Sequence, residues 1–198
     1  MRKCFAQRPA ILGSCLLISL AVTAGAARKE KVREEVAVID TNLGRMVFRF
    51  FEQESPKTVE AFKKLVRGGF YNGTLIHKVL PGLLIQAGDP ETRAEGREEP
   101  KVTAEPVEIE KNELRHHTGT VSMAHERDDP ASRSEFFICL QEVSYFDGKY
   151  TVIGEVIEGL KVVNAVSQVP RNAKQNPLFP VRIRRISLET QEYYKEVK

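Results

Sequence analysis

The chain has 198 residues, 41% of them hydrophobic and 29% charged, a composition typical of one globular domain with a sizeable core. Its formal net charge of +3 is carried by Arg2, Lys3 and Arg8, so the rest of the chain is neutral. Because no basic stripe with interleaved aromatic residues is present either, the sequence does not support nucleic-acid binding. Only Cys139 lies beyond the first 27 residues, which excludes an intramolecular disulfide in that part.

Residues 1–27 have the pattern of a secretory signal peptide. The basic residues precede the apolar segment Ala10–Val22, and Ala24–Ala26 offers small side chains for signal peptidase. An uncleaved anchor is the alternative, although the segment is short for a span of about 20 residues. A lipoprotein signal fits less well, since Cys15 lies inside the apolar segment. We therefore expect an exported protein, periplasmic or secreted, without stable membrane insertion after cleavage, and with residues 28–35 as a charged linker.

A hairpin is predicted at the start of the domain. Val36–Asp40 has the composition of a strand, and Thr41–Gly44 that of a turn. Met46, Phe48 and Phe50 then recur at every second position, which predicts a second strand.

Two helices are predicted. Ser55-Pro56 favours a helix start, with Ser as N-cap and Pro at the first position, and Gly68-Gly69 favours its end. The second helix runs from Leu160 to Val169, with Val163 and Val166 directed inward. The inward face of the first helix consists of apolar residues spaced three and four apart: Val59, Phe62, Leu65 and Val66.

Short β-type segments account for most of the remaining domain, residues 36–189, before a tail at 190–198. Many short strands with only two helices predict an antiparallel barrel or sandwich, not a βαβ fold. The loop Pro90–Pro106 is long for a compact domain, and such loops often border a site. The strand segments are Leu75–Leu80, Leu84–Gly88, Thr120–Ala124, Phe136–Leu140, Tyr150–Val156 and Val181–Leu188.

Common catalytic and metal-binding motifs are missing from the sequence. The adjacent His116 and His117 would point to opposite faces of a strand, and His77 and His125 have no partner at ligand spacing. Cys139 lies within an apolar segment, which favours a buried thiol over a nucleophile. We expect no metal and no cofactor.

Three segments of the chain stand out together: Phe70–Asp89 (FYNGTLIHKVLPGLLIQAGD), Gly119–Ala124 (GTVSMA) and Ser134–Gly154 (SEFFICLQEVSYFDGKYTVIG). They resemble the signature segments of the cyclophilin family of peptidyl-prolyl isomerases. The similarity runs in order from Val36 to about Leu188. It implies a mainly β fold, a closed eight-stranded antiparallel β-barrel capped by two α-helices, with the site in a groove on its outer surface.

The resemblance also implies a reaction and its substrates. The protein would catalyse rotation about X-Pro bonds of proline-containing polypeptides. Together with the predicted signal peptide, this predicts a role in the folding of exported proteins, and we expect a monomer. The catalytic position of the family falls on Lys78. The proline pocket would be lined by Leu83, Leu84, Phe137 and Phe146, and Gln86 would hold the peptide backbone. Ala124 and His125 would line the groove along the edge strand, and Tyr145 and Tyr150 would form its rim.

The chain departs from the family pattern at several of these positions. Lys78 stands where the family has Arg, Leu83 and Leu84 replace an aromatic residue and Met, Glu135 replaces Gln, and Tyr145 replaces Trp. Lys keeps the charge but lacks the planar fork of Arg, so we expect an atypical site with reduced activity. Glu135 either pairs with Lys78 or both are solvated groove charges. The alternative functions are a proline-peptide-binding or chaperone module without significant catalysis, and a scaffold.

Overall fold

The computed structural model describes residues 34–93, 100–125 and 131–191, so the predicted signal peptide lies outside the described residues. Two α-helices accompany the strands, α1 (Pro56–Arg67) between the second and third strands and α2 (Leu160–Ser167) before the last. Within these ranges no helix is long and apolar enough to cross a membrane. The strands are β1 (Glu35–Thr41), β2 (Gly44–Phe50), β3 (Ile76–Leu80), β4 (Leu84–Ala87), β5 (Thr120–Met123), β6 (Phe136–Cys139), β7 (Val152–Glu158) and β8 (Ile183–Thr190).

All eight strands belong to one sheet in the order β3-β4-β6-β5-β7-β2-β1-β8, and every neighbouring pair is antiparallel. The predicted mainly β, antiparallel fold with two helices is therefore confirmed, as a curled half-barrel. The outer strands β3 and β8 are not joined by a ladder. An isolated bridge between Leu75 and Arg182, together with a 2.8 Å hydrogen bond from the Ile76 amide to the Val181 carbonyl, connects their ends.

Most predicted elements are confirmed, with small differences in their ends. The helix α2 stops at Ser167, because the amides of Gln168 and Val169 bond three residues back and tighten the last turn. The strand β7 begins at Val152, since the Tyr150 amide bonds the Phe146 carbonyl and so belongs to the preceding turn.

The main core lies between one face of the sheet and the two helices. On β6, Phe136 and Ile138 enter this core, and Phe136 meets Phe62 of α1 edge-on at 5.5 Å between ring centroids. The predicted inward residues of both helices are buried in it, which confirms the helical periodicity. The alternate residues of β6 therefore face the opposite side of the sheet.

The cap of α1 differs from the prediction. Ser55 and Pro56 occupy the predicted positions, but the Ser55 hydroxyl donates to the Val152 carbonyl and makes no capping bond. Glu110 supplies the cap instead. Its carboxylate accepts from the Lys57 amide at 3.2 Å and from the Thr58 amide at 2.7 Å. A negative charge at a helix N-terminus is stabilising, so a remote residue performs the role expected of Ser55.

Replacing Glu110 with Ala is expected to lower the free energy of unfolding by about 1–2 kcal/mol, the usual cost of losing a cap. Urea denaturation measures the loss. Glu113→Ala is the matched control, because Glu113 is exposed and close in sequence. Equal stability of the two variants would show that Glu110 does not cap the helix.

Candidate active site

A second apolar cluster, here called the pocket cluster, lies on the face of the sheet opposite the main core. Along β6, Phe137 and Cys139 enter it, whereas their neighbours enter the main core. The cluster thus brings together all four residues predicted for a proline pocket. Its buried members are Leu84, Ala124, Phe137 and Cys139, and Leu80, Leu83, Val143, Phe146 and Tyr150 pack against them partly buried.

Three aromatic rings meet edge-on in the pocket cluster. The centroids of Phe137 and Phe146 are 5.5 Å apart, those of Phe137 and Tyr150 5.3 Å, and those of Phe146 and Tyr150 5.0 Å. Edge-to-face packing of this kind gives fixed ring positions. The cluster is therefore an ordered apolar surface.

One row of side chains crosses four strands beside this surface. Lys78 on β3 is opposite Gln86 on β4, Gln86 is opposite Phe137 on β6, and Phe137 is opposite Ser122 on β5. Residues paired in this way share a face of the sheet. The row therefore places a cation, an amide and an aromatic ring next to one another.

A β-bulge interrupts the ladder between β3 and β4 at His77, next to Lys78. The register between β3 and β4 shifts between Ile76 and Lys78, which makes His77 the extra residue. Bulges re-aim side chains, and here His77 Nε2 reaches Glu135 Oε2 at 3.2 Å. Gln86 Nε2 donates to the same oxygen at 2.6 Å.

The hypothesis that Glu135 pairs with Lys78 is wrong. The hydrogen bonds of Glu135 go to His77 and Gln86, and within the described residues Lys78 forms no ion pair with it. The hydrogen bond from His77 is the main reason that the pKa of Glu135 lies below its ordinary value, although burial opposes the shift and the charge of Lys78 adds to it. Glu135 is therefore a carboxylate at neutral pH.

The residues predicted for the edge-strand lining and for the rim lie in or beside the pocket cluster. His125 stacks on Tyr150 with 4.7 Å between ring centroids, next to the buried Ala124. Tyr145 is 72% exposed, and the Lys149 ammonium sits 3.1 Å from its ring centroid. Tyr150 thus belongs to the pocket wall, whereas Tyr145 stands at the solvent edge.

A cavity of about 790 Å³ adjoins the row on the side of Gln86 and Glu135. Its wall also includes Ala124 and His125, and it is completed by residues of the loop Pro90–Pro106, among them Arg93 and Val102. The long loop therefore borders the site.

Comparison with known proteins identifies the family. The model of the cyclophilin type peptidyl-prolyl cis-trans isomerase family matches residues 36–188. The chain belongs to the cyclophilin family. It is 32% identical over 147 residues, 73% of this chain and 93% of the relative, to peptidyl-prolyl cis-trans isomerase ppi1 of Schizosaccharomyces pombe. A peptidyl-prolyl cis-trans isomerase of Acinetobacter baylyi is 32% identical over 160 residues, 76% of this chain and 83% of that protein.

A solved cyclophilin has the same fold. The crystal structure of a cyclophilin type peptidyl-prolyl cis-trans isomerase of Cryptosporidium parvum, obtained in the presence of the dipeptide Ala-Pro, aligns with a TM-score of 0.70 and 28% identity. The alignment covers 79% of this chain and 99% of that one. Peptidyl-prolyl cis-trans isomerisation, the activity of these relatives, is the activity of this cyclophilin.

His116 of this cyclophilin packs against the pocket residues Phe137 and Phe146, a role that the sequence did not indicate. The buried ring stacks on Phe137 at 5.9 Å and 17° and meets Phe146 edge-on at 5.7 Å. Its Nδ1 lies 2.9 Å from Asp147 Oδ1, and its Nε2 lies 2.9 Å from Ser122 Oγ. The carboxylate only accepts, so Nδ1 donates to Asp147 and Nε2 accepts from Ser122.

Burial and the hydrogen bonds between His116 and Asp147 determine the charges of these two side chains. Burial lowers the pKa of His116 despite the neighbouring Asp147, so the ring is neutral at neutral pH. Burial alone would raise the pKa of Asp147, but hydrogen bonds from the His116 ring and amide outweigh it and leave this pKa below its ordinary value. His116 and Asp147 thereby hold the turn that carries Tyr145 and Phe146.

Acidification from pH 7.5 to 5.5 is expected to destabilise the protein through His116. The unfolded chain protonates this histidine as the pH falls through about 6.5, while the folded chain keeps it neutral to lower pH. The unfolded state then binds more protons, and the free energy of unfolding falls, by at most about 1.4 kcal/mol per pH unit for one proton. Urea denaturation at both pH values measures this. His116→Gln should reduce the pH dependence of the unfolding free energy. His117→Gln, at the exposed neighbouring residue, is the control and should retain it. The same pH dependence in both variants would show that His116 does not cause it.

Cys139 is buried, as predicted, and burial with the nearby Asp147 charge raises the pKa of its thiol to about 12. The thiol is therefore not a nucleophile at neutral pH. In the described part of the chain, no group of three or more His, Cys, Asp or Glu side chains comes together to hold a metal ion.

Proposed function

We propose that this cyclophilin isomerises X-Pro bonds with Lys78 as the donor to the prolyl nitrogen and with the pocket cluster as the seat of the proline ring. The observation that carries the proposal is the row Lys78, Gln86 and Phe137, which places a cation beside an ordered aromatic surface on three adjacent strands. Leu83, Leu84, Phe137 and Phe146 line the pocket. Gln86, Ala124 and His125 hold the peptide, and Tyr145 and Tyr150 border it.

The chemistry explains why such a row suffices. The X-Pro amide rotates over a barrier of about 18–20 kcal/mol, and without catalysis the exchange takes tens to hundreds of seconds. Rotation removes the amide resonance, so the prolyl nitrogen regains a lone pair. A donor placed at that nitrogen stabilises the twisted state more than either planar state, which lowers the barrier.

Reduced activity is part of the proposal. Within the described residues Lys78 has no hydrogen-bond or ion-pair partner that fixes its ammonium. A flexible ammonium is a weaker positioned donor than the planar guanidinium of the family pattern. Leu83 and Leu84 also give a smaller wall than an aromatic residue and Met.

The second candidate is a proline-peptide-binding module that retains the groove without significant catalysis. The unfixed Lys78 is the observation that favours it. A protease-coupled assay with a proline tetrapeptide separates the two functions. Isomerisation by the wild type that increases in Lys78→Arg supports the enzyme. No isomerisation in either protein, with peptide binding retained, supports the binding module.

Export is the proposed cellular setting. A cleaved signal is supported by the basic residues Arg2, Lys3 and Arg8, the apolar segment Ala10–Val22 and the small residues Ala24–Ala26. The protein would then act as a monomer without membrane insertion. It would assist the folding of exported proteins in the periplasm or outside the cell. Fusion of residues 1–27 to alkaline phosphatase tests the signal. An inactive, unprocessed fusion would contradict it, whereas an active but uncleaved one would favour the anchor.

We also propose that the half-barrel closes between β3 and β8. Support comes from three backbone hydrogen bonds, from Ile76 to Val181, from Ile183 to Thr74 and from Gly73 to Ile183, each between 2.8 and 2.9 Å. Amide hydrogen exchange tests closure, since an open edge would leave the Ile76 and Ile183 amides unprotected.

A further inference from the structure

Gln86 is held in one orientation by its neighbours. The carboxylate of Glu135 has no proton at neutral pH, so it only accepts from the Gln86 amide and the His77 ring. The Gln86 NH₂ group therefore faces Glu135, and its carbonyl oxygen faces away. Without Glu135, either end of the amide would be free to turn toward a peptide.

The side-chain carbonyl oxygen of Gln86, Oε1, is an open acceptor. No hydrogen bond to Gln86 Oε1 occurs within residues 34–93, 100–125 and 131–191, and this oxygen is not among their buried unpartnered polar atoms. Gln86 itself is half-buried. Because Gln86 also lines the cavity, the acceptor is available to a bound chain.

The bulge in β3 makes this arrangement possible. On a regular strand His77 and Lys78 would point to opposite faces, but the extra residue lets His77 approach Glu135 while Lys78 stays in register with Gln86. The loop before β8 fixes the bulge. The side-chain amide of Asn176 donates through Nδ2 to the His77 carbonyl at 2.7 Å, and the backbone amide of Val79 donates to the Gln175 carbonyl at 2.9 Å.

We propose that His77 and Glu135 are positioning residues that hold the carbonyl oxygen of Gln86 toward the groove, so that this cyclophilin accepts a hydrogen bond from a backbone N–H flanking the substrate proline. The proposal rests on the proposed function, since it adds the polarity of one contact in that groove. His77 and Glu135 act through Gln86 and need not touch the peptide.

The test uses a proline tetrapeptide and versions of it that carry one N-methyl group on a backbone amide flanking the proline. For the wild type, one methylated peptide should lose about 10-fold in kcat/KM relative to the parent, the effect of one hydrogen bond. In Glu135→Met the Gln86 amide is free to turn, so the same methylation should cost less than about 3-fold. Glu60→Met, at an exposed residue of α1, is the matched control and should keep the wild-type penalty.

Several results would overturn the proposal. One is an equal penalty in wild type and Glu135→Met, and another is a wild type that tolerates every methylated peptide. If the wild type does not turn over even the parent peptide, the proposed function fails instead. The dissociation constants of the same peptides are then compared. Methylation should weaken binding to the wild type more than binding to Glu135→Met. An equal effect on both proteins, or no binding at all, would overturn the positioning role.

A second measurement does not depend on any variant. The side-chain amide resonance of Gln86, followed by NMR on lowering the pH, should shift as Glu135 takes up its proton, below the ordinary range of a glutamate. A resonance that stays unchanged through the titration of Glu135 would show that the two side chains are not joined, and would overturn the proposal.

Discussion

Replacing Lys78 with Met is expected to lower kcat/KM for a proline tetrapeptide by at most about 10²-fold, the lower end of the loss seen when a positioned transition-state donor is removed, because the Lys78 ammonium is not fixed. Methionine keeps the length and apolar stem of lysine but cannot donate. Because the prolyl nitrogen becomes an acceptor only as the amide twists, the loss should fall on kcat, with KM changed by less than about 3-fold. Single-turnover and steady-state kinetics measure the two constants separately.

Lys64→Met is the matched control for this variant. Lys64 is exposed on α1, so the substitution removes the same charge far from the row of Lys78, Gln86 and Phe137. It should leave both constants unchanged. A Lys78→Met protein that turns over the peptide as fast as the wild type would show that Lys78 is not the donor.

Replacing Phe137 with Ala should affect both stability and activity. The ring is 3% exposed and contacts His116, Phe146 and Tyr150, so its loss should cost about 3–5 kcal/mol of unfolding free energy. It also removes the wall against which a proline ring would pack. In the folded fraction kcat/KM should fall by more than about 10-fold, because losing even one apolar group from a substrate pocket changes kcat/KM by about 10-fold or more.

Phe136→Ala separates the two effects. Phe136 is equally buried but enters the main core, so its truncation should destabilise the fold to a similar degree and leave kcat/KM of the folded protein intact. Phe137→Leu keeps most of the apolar volume and serves where Phe137→Ala does not fold. Equal losses of kcat/KM in Phe136→Ala and Phe137→Ala would contradict a pocket at Phe137.

The order of elements could be predicted because local patterns determine it. Alternation at Met46, Phe48 and Phe50 places one face of β2 in the main core, and the spacing from Val59 to Val66 does the same for α1. Lys63 shows the limit of this periodicity. It is 4% exposed on the same helix because Glu35 and Glu52, distant in sequence, pair with its ammonium at 2.8 and 2.6 Å. Only the tertiary fold brings these carboxylates together.

The site was predictable where it follows a family motif and not where it depends on long-range pairing. The run from Lys78 to Gln86 and the segment around Phe137 indicated the groove residues directly. His116 gave no such signal, since Asp147 is 31 residues away and no spacing rule joins them. The partners of Glu135 were missed for a different reason: a bulge cannot be inferred from the sequence here, and without it His77 would face away from Gln86.

The most direct test of the account is exchange NMR on an Ala-Pro peptide in the presence of the wild-type protein. Cis and trans proline give separate signals, and uncatalysed exchange is too slow to connect them. Catalysis in the groove predicts exchange cross-peaks at low molar ratios of protein, lost in Phe137→Ala and retained in Phe136→Ala. Peptide signals that shift on binding without exchange would establish a binding module, and would contradict an isomerase built on Lys78 and Phe137.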